Sequence, residues 1–531
     1  MKKRLFPTIF CSLALILVLM LAACGGGNDG DGGSGDGGTT GGGGGTTAGT
    51  TGGGAAVDRL MVVGPGLPVS TDPHASADMA TAAYAHQVFD SLFRIDPHSL
   101  EPVPNLVASY DRPNAQTLNI TLRDGIQFHN GDPLRASDVE FSIRRAMTMP
   151  VSFIIDMIED VVVHDDLNLT ITTNVPFAPL TAHLAHYGTS IVSQSAVEAA
   201  GAAFHEHPIG TGAFEFVSIT LGDRVELRRF EDYWGDRPEF QYLTIRVMPE
   251  ATNRLIEVEA GNAHIALSIH PSDLVRAEES ADLVLHRRPA IGAHYIAFNT
   301  NVAPFDNILV RQAVAHALDM ETMSRVAFEG SGQAGASMIT PATWGAIDVP
   351  FFEFNVDRAR ELMAEAGYAD GFSAVLMFSL YDPQYAMVSQ MVLNQLREIG
   401  IDISLQQLEW GTFLDAVYSG EHEMFILSWN TPTLDADYGM HGLSHSANAN
   451  GGNNLANHIN PEIDRLLEAG RSSLVDAERL AIYAELQHVI RNDAAYLFFH
   501  YTEQLHVASP SVQGFIVNPI EQHDLWRITF N

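Results

Sequence analysis

The side chains that could do covalent chemistry are few and poorly spaced for it. No G-x-S-x-G nucleophile elbow occurs; Gly442-Leu443-Ser444-His445-Ser446 comes nearest and fails at its last residue. No H-E-x-x-H occurs either. His441 and His445 stand four apart with His458 downstream, a spacing that would bring two imidazoles to one metal ion on a helix. Gly442 lies between them and a run of Asn and Gly follows, so the stretch reads as a loop with polar groups to offer a pocket. The pairs His183/His186 and His205/His207 are weaker still as metal ligands, and no metal site is expected. Gly210-Thr211-Gly212 lacks the strand-to-helix setting of a phosphate loop and reads as a strand entry needing φ > 0 or close backbone approach. Carboxylates are too plentiful to single out, with 64 Asp+Glu against 29 Lys+Arg and a formal net charge of −35 over 531 residues. On these motifs catalysis is not supported.

The cations narrow the field further. Only Lys2 and Lys3 are lysines; every other cation is arginine. A Walker A loop needs a lysine after its glycines, so that phosphate chemistry is excluded. A nucleic acid partner is excluded by the acidic field, because binding a polyanion needs clustered cations. At 46% hydrophobic and 18% charged, the chain still has enough apolar side chains for a large core, and its length suits two to four domain-sized units.

The N-terminus reads as an address. Lys2, Lys3 and Arg4 precede an apolar run, and Leu21-Ala22-Ala23-Cys24 resembles the bacterial lipobox. Residues 1–23 are then a lipoprotein signal peptide and Cys24 carries the lipid; the plainer alternative is an ordinary signal peptide. Cys11 leaves with the signal, so no intrachain disulfide remains. Residues 24–56, rich in Gly, Thr and Asp, read as a tether. The protein is expected on the outer face of the cytoplasmic membrane or in the periplasm.

From Val57 the elements that must position any site alternate. Gln116–Leu122 alternates Leu118, Ile120 and Leu122 as a half-buried strand. Ser137 to Glu140 reads as a capping box opening a helix through Met147. Residues 222–229 and 242–248 read as strands, and 310–326 as one helix. Helices over 357–366 and 383–399 stop at Gly367 and Gly400, and a strand follows from Ile401. Asn460-Pro461 caps a helix ending near Gly470, and 474–491 is a further helix. The pattern is α/β.

Ordered segments carry a resemblance. Ser70-Thr71-Asp72-Pro73-His74 looks like "T-L-D-P-H". Leu122 to Gly131, followed by Asp138-Val139, looks like "L-R-x-G-V-K-F-H-D-G…D-V", and Pro208 to Phe214 like "P-V-G-T-G-P-Y". Val88 to Pro97, Asp232-Tyr233-Trp234-Gly235, Pro304-Phe305-Asp306 and Ala364 to Tyr368 also fit. Together they resemble the family 5 extracellular solute-binding proteins of ABC transporters, the peptide, nickel and glutathione class. The resemblance implies a bilobed periplasmic-binding-protein-like α/β fold of class II, with three domains. Domain I would be discontinuous (57–88, 209–297, 504–531), domain II would span 89–208 and domain III 298–503. It also implies a ligand enclosed between lobes, delivery to an ABC permease with its ATPase, a monomer, no catalysis and no cofactor. A small peptide is the first ligand; nickel, a haem chelate or a glutathione-like ligand is the alternative.

Site residues follow from the same resemblance. Peptide-binding members place an amine-binding aspartate in "G-W-x-x-D", but position 432 here is Pro. The stretch from Leu427 to Tyr438 is more similar to the glutathione-type variant, which carries Asp437 onto the amine, with Asp435 second (the plainer reading being that either aspartate caps a turn), Tyr438 beside it and Trp429 lining the pocket or packing in the core. Trp410 (equally open to core packing) and Tyr381 are implied near the cleft, as are Thr71 and His74 from domain I, with turn chemistry at Asp72-Pro73 as the plainer reading. Gly210, Thr211 and Gly212 would offer backbone groups to an extended ligand. With lysine absent beyond Lys3, an arginine, backbone amides or hydroxyls must meet a ligand carboxylate.

Overall fold

The computed structural model describes residues 57–531; the expected signal peptide (1–23), lipidation at Cys24 and tether (24–56) lie outside the described residues. Two long strands organise everything else. Val284–Phe298 and Tyr496–Ala508 pair antiparallel from Val284↔Ala508 to Ala297↔Tyr496. They stand at the centre of a ten-stranded sheet and join its two halves. On one side follow Ile265–Ala266, Arg59–Gly64, Tyr242–Val247, Arg224–Arg229 and Phe214–Thr220; on the other Met424–Asn430, Phe372–Ser379 and Ile401–Leu408.

Each half has its own core, so the fold is bilobed. In the second lobe, alternate residues of one strand feed different clusters: Ile296 and Phe298 pack with Phe305, Val314 and Val392, while Tyr295 and Ala297 pack with Phe425, Met440 and Tyr483. This is the two-residue period of a sheet buried on both faces. The first lobe buries Leu60 and Val62 with Tyr84, Phe214 and Trp526. Attached to it, Val107–Asn114, Thr117–Leu122, Asn168–Thr173 and Ile158–Val163 form a separate four-stranded antiparallel sheet. There Leu118, Ile120 and Leu122 are buried as the alternation requires, against Val139, Ile143 and Ala146 of helix Ala136–Ala146.

Three local expectations need correction. The helix at 136 is capped by Arg135, whose backbone N–H donates to Asp138 at 3.0 Å; Ser137 is already inside it. The expected single helix over 310–326 is two, Ile308–Ala317 and Met320–Ala327, because the Asp319 side chain accepts the Thr322 N–H at 3.0 Å and starts a new helix. Residues 436–444 are helical despite Gly442, with Asp435 as N-cap. Among the described residues, no helix is long and apolar enough to cross a membrane.

Candidate ligand site

Where the two long strands cross between lobes, their pairing breaks. The register shifts between Pro289 and Ala293, and at the break the Gly292 N–H donates to Thr502 Oγ1 at 3.1 Å. A Cβ on Gly292 would lie 2.7 Å from that oxygen, so only glycine lets the strands approach here. A cavity of about 300 Å³ opens at this point, bordered by Ile291, Gly292, Thr502 and Gln504 of the strands, Met79 and Ser268 of the first lobe, Asn430 of the second, and Pro519 and Glu521 of the C-terminal segment. It lies at the small end of the usual range for ligand sites. A second crevice of about 360 Å³ separates Tyr110, Arg112 and Pro179 from Trp344, Leu434, Asp435 and Arg479.

The lobes touch in this arrangement. The Ala178 N–H donates to the Arg471 carbonyl at 2.6 Å, the Arg471 guanidinium sits 5.1 Å from the Phe177 ring centre, and His183 lies 6.0 Å from Tyr438. These contacts join the four-stranded region to the second lobe.

The two aspartates singled out in the sequence carry internal ion pairs. Arg471 Nε and Nη2 donate to Asp437 Oδ1 and Oδ2 at 3.1 and 2.8 Å, and Arg471 Nη1 donates to His441 Nε2 at 2.9 Å. Asp437 is fully buried. Burial pushes its carboxyl up, but Arg471 outweighs this and holds it below the usual range. Asp435 accepts the Asp437 N–H at 2.9 Å as the helix cap and is bridged by Arg479 Nη2 at 2.8 and 2.9 Å. Asp435 borders the second crevice with its charge already met.

The aromatic residues gather into two stacks. Trp429 and Tyr438 stack at 6.0 Å, and the buried Trp429 Nε1–H finds no partner among the described residues. Tyr381 and Trp410 stack at 4.4 Å, with Tyr381 73% exposed. They follow the C-terminal ends of the parallel strands Phe372–Ser379 and Ile401–Leu408, the sheet end at which Asn430 borders the cavity. In α/β sheets ligands collect at that end.

The first-lobe residues expected at the cleft are engaged inside the fold. Thr71 Oγ1 donates to the His205 carbonyl. His74 accepts from Arg145 at Nδ1 (2.7 Å) and donates Nε2–H to the Ser190 carbonyl at 2.9 Å. Burial, then Arg145, lowers its pKa to about 4. Thr211 Oγ1 donates to the buried Asp90 at 2.9 Å. Gly210 and Gly212 are required by packing: a Cβ would lie 2.1 Å from the Val88 carbonyl oxygen or 2.5 Å from the Val88 carbonyl carbon. Their carbonyls accept from the His129 N–H at 2.9 Å and His129 Nε2 at 3.0 Å. The sequence reading of this loop as a close backbone approach matches the structure.

Charged residues that sequence reasoning missed border both openings. Arg112 spends its Nη atoms on the carbonyls of Ala115, Phe177 and Ala178, and its buried Nε is unpartnered among the described residues. Burial, then Arg479, lowers its pKa to about 10. Glu521 and Glu503 border the strand-crossing cavity. No local motif marks any of the three.

His506, Glu521 and His523 bring ligand atoms within 4.8 Å of one another, a set that could hold a metal ion. The hydrogen bonds argue otherwise. Backbone N–H groups of Ser268 and Asn518 donate to Nδ1 of His506 and His523 at 2.9 and 3.0 Å. Each neutral ring therefore carries its proton on Nε2, where a metal would need a lone pair. Those protons go to Gln504 Oε1 at 3.1 Å and Glu521 Oε2 at 3.2 Å. The His441/His445 pair is likewise engaged: the rings stack at 4.5 Å, His441 accepts from Arg471, and His458 pairs with Asp493 at 2.9 Å.

Comparison with known proteins finds relatives in sequence and in fold. The dipeptide-binding protein of Escherichia coli is 23% identical over 461 residues, covering 81% of this chain and 86% of its own. The glutathione-binding protein of Pectobacterium atrosepticum is 27% identical over 476 residues (87% and 92%), and heme-binding protein A of Haemophilus influenzae 26% over 478 (82% and 86%). The fold matches the structure of HbpA2 from Haemophilus parasuis with a TM-score of 0.82 at 23% identity, covering 89% of this chain and 100% of that one. A periplasmic binding protein from Helicobacter pylori, solved with the peptide STSA, matches at 0.76 and 23%, covering 90% and 98%. The family model described as bacterial extracellular solute-binding proteins, family 5 Middle, matches residues 101–451, and the chain belongs to that family.

Proposed function

We propose that this protein captures small peptides outside the cytoplasm, encloses them between its lobes and hands them to the permease of an ABC importer. The observation that carries this is the cavity at the strand crossing, bordered by both lobes and by neutral hydrogen-bonding groups with one acidic wall. Ser268, Thr502 and Asn430 suit amide and amine groups of varied peptides, because they bind without reading side chains. Relatives named for dipeptide and glutathione binding support the ligand class. Trp429, Tyr438, Tyr381 and Trp410 would line the ligand's path, and Arg112 is the cation available to its anionic end.

Three domains fit this work: a discontinuous domain I (57–88, 209–297, 504–531), domain II (89–208) and domain III (298–503). One apolar cluster draws on all three stretches of domain I and on no other domain, with Val63, Leu255, Ile269 and Val507 packed together, and it supports the discontinuous assignment. The protein would act as a monomer held at the membrane through a lipid on Cys24.

A second reading is haem or nickel-chelate capture on the same fold, favoured by the relative named for heme binding. Calorimetric titration with di- to pentapeptides, with Ni²⁺ and with haem separates the two. Micromolar or tighter peptide binding without metal or haem binding is expected. Tight haem or Ni²⁺ binding with no peptide binding would replace the peptide reading.

A further inference from the structure

The two carboxylates of the strand-crossing cavity differ in one respect. Glu503 is met by Arg287, which donates from Nε and Nη2 at 3.0 and 2.8 Å, and by the Gly332 N–H at 3.2 Å. Glu521 meets no arginine among the described residues. Its one side-chain partner there is His523, whose Nε2–H reaches Oε2 at 3.2 Å. The Glu521 side chain is only 18% exposed, so most of its hydration is gone. A carboxylate stripped of water without a cation is costly, and its open lone pairs call for a charged donor.

The local backbone is shaped to hold it there. Glu521 has φ of 61°, in the left-handed region that a long side chain rarely occupies. The turn closes through the Glu521 N–H on the Asn518 carbonyl at 3.0 Å, and the Ile520 N–H on Asn518 Oδ1 at 3.2 Å. His523 is fixed by Asn518 through Nδ1 and packs across His506 at 5.2 Å and Phe515 at 5.4 Å. Burial pushes the Glu521 carboxyl up, but the hydrogen bond from His523 outweighs this and holds it below the usual range. It is therefore an ion at neutral pH. Asn430, Ser268 and Thr502 on the other walls are neutral and can share a donor-rich guest.

We propose that Glu521 receives the cationic end of the ligand, a primary ammonium such as a peptide's α-amine, at the strand crossing. The assignment rests on the peptide reading above and names the residue and the ligand group that anchor it. His523 is a positioning residue: it donates to one carboxylate oxygen and leaves the other lone pairs to the guest. Asp437 and Asp435, held by Arg471 and Arg479, then serve structure.

The test uses the full chain and a mixed di- to pentapeptide pool. A peptide retained by wild type in native mass spectrometry is resynthesised with a free and with an acetylated N-terminus, and both forms are titrated calorimetrically into wild type and Glu521→Gln. We expect acetylation to weaken wild-type binding at least tenfold. Glu521→Gln should weaken the free-amine form by a similar factor and the acetylated form hardly at all. Equal wild-type affinity for the two forms overturns the assignment, as does unchanged free-amine binding by Glu521→Gln. Should Glu521→Gln fail to fold, Glu521→Asp takes its place, and an equal loss for the free-amine and acetylated forms overturns the assignment. If wild type retains no peptide, the peptide reading itself falls and takes the assignment with it.

Discussion

At Asp437 the structure separates two roles that a carboxylate in a binding protein can play. A buried aspartate gripped by two arginine nitrogens is already neutralised, and removing its charge strands Arg471 in a dry site. Asp437→Asn should therefore lower unfolding stability by about 3 kcal/mol, read by urea denaturation, while peptide Kd changes less than threefold. Weaker binding at unchanged stability would return Asp437 to the ligand. Arg112 makes the opposite case, since its buried Nε is open and its Nη atoms donate to carbonyls, with no carboxylate paired to it among the described residues. Arg112→Met should weaken a free-carboxylate peptide about tenfold more than its C-terminal amide; equal losses would remove Arg112 from the carboxylate. These roles were not legible in the sequence. The partners of Asp437 and Asp435 lie 34 and 44 residues away, and no spacing rule links them. Residue types did narrow the choice: with lysine absent beyond Lys3, a permanent cation beside a buried carboxylate has to be an arginine.

At the level of elements the sequence was more informative, because local physics decides them. The alternation of Leu118, Ile120 and Leu122 placed a strand and its buried face. Gly367 and Gly400 end their helices with φ of 86° and 82°, the conformation that makes glycine the favoured stop. The break between Ala317 and Met320 was missed since apolar periodicity runs through it; the signal was Asp319 as a cap for Thr322. Gly210-Thr211-Gly212 was legible as a backbone contact and illegible as to its partner, the strand-like exit from helix Met79–Val88. Gly212→Ala should cost about 2 kcal/mol of stability, because the new Cβ would meet main-chain atoms of Gln87 and Val88 that cannot step aside. A thermal midpoint within a degree of wild type would contradict this packing. The cavity itself was beyond sequence reach, since its walls come from segments as far apart as Met79 and Glu521.

Across the whole molecule, buried histidines set the response to acid. Burial, the largest cause in each, lowers His74, His129 and His422 to about 4, and His186, His294, His441, His500 and His506 to about 3. In each case the unfolded chain, titrating near 6.5, binds a proton that the folded chain refuses. Stability is therefore full above pH 6.5 and is lost as pH falls from 6.5 towards 3 to 4. Buried carboxyls such as Asp90 and Asp382, pushed up by burial, act in the opposite sense at lower pH. We expect the thermal midpoint to fall by several degrees between pH 7 and pH 5. A flat or rising midpoint over that range would mean these imidazoles are solvated or charged in the folded protein.

A peptide held between the lobes should stay with the protein through purification. Native mass spectrometry of the purified full-length chain addresses it most directly. We expect one peptide-sized adduct per chain, released on unfolding and absent from a refolded sample until peptides are added back. A chain that stays bare in a di- to pentapeptide pool, or carries haem or a metal chelate in place of a peptide, would contradict peptide capture.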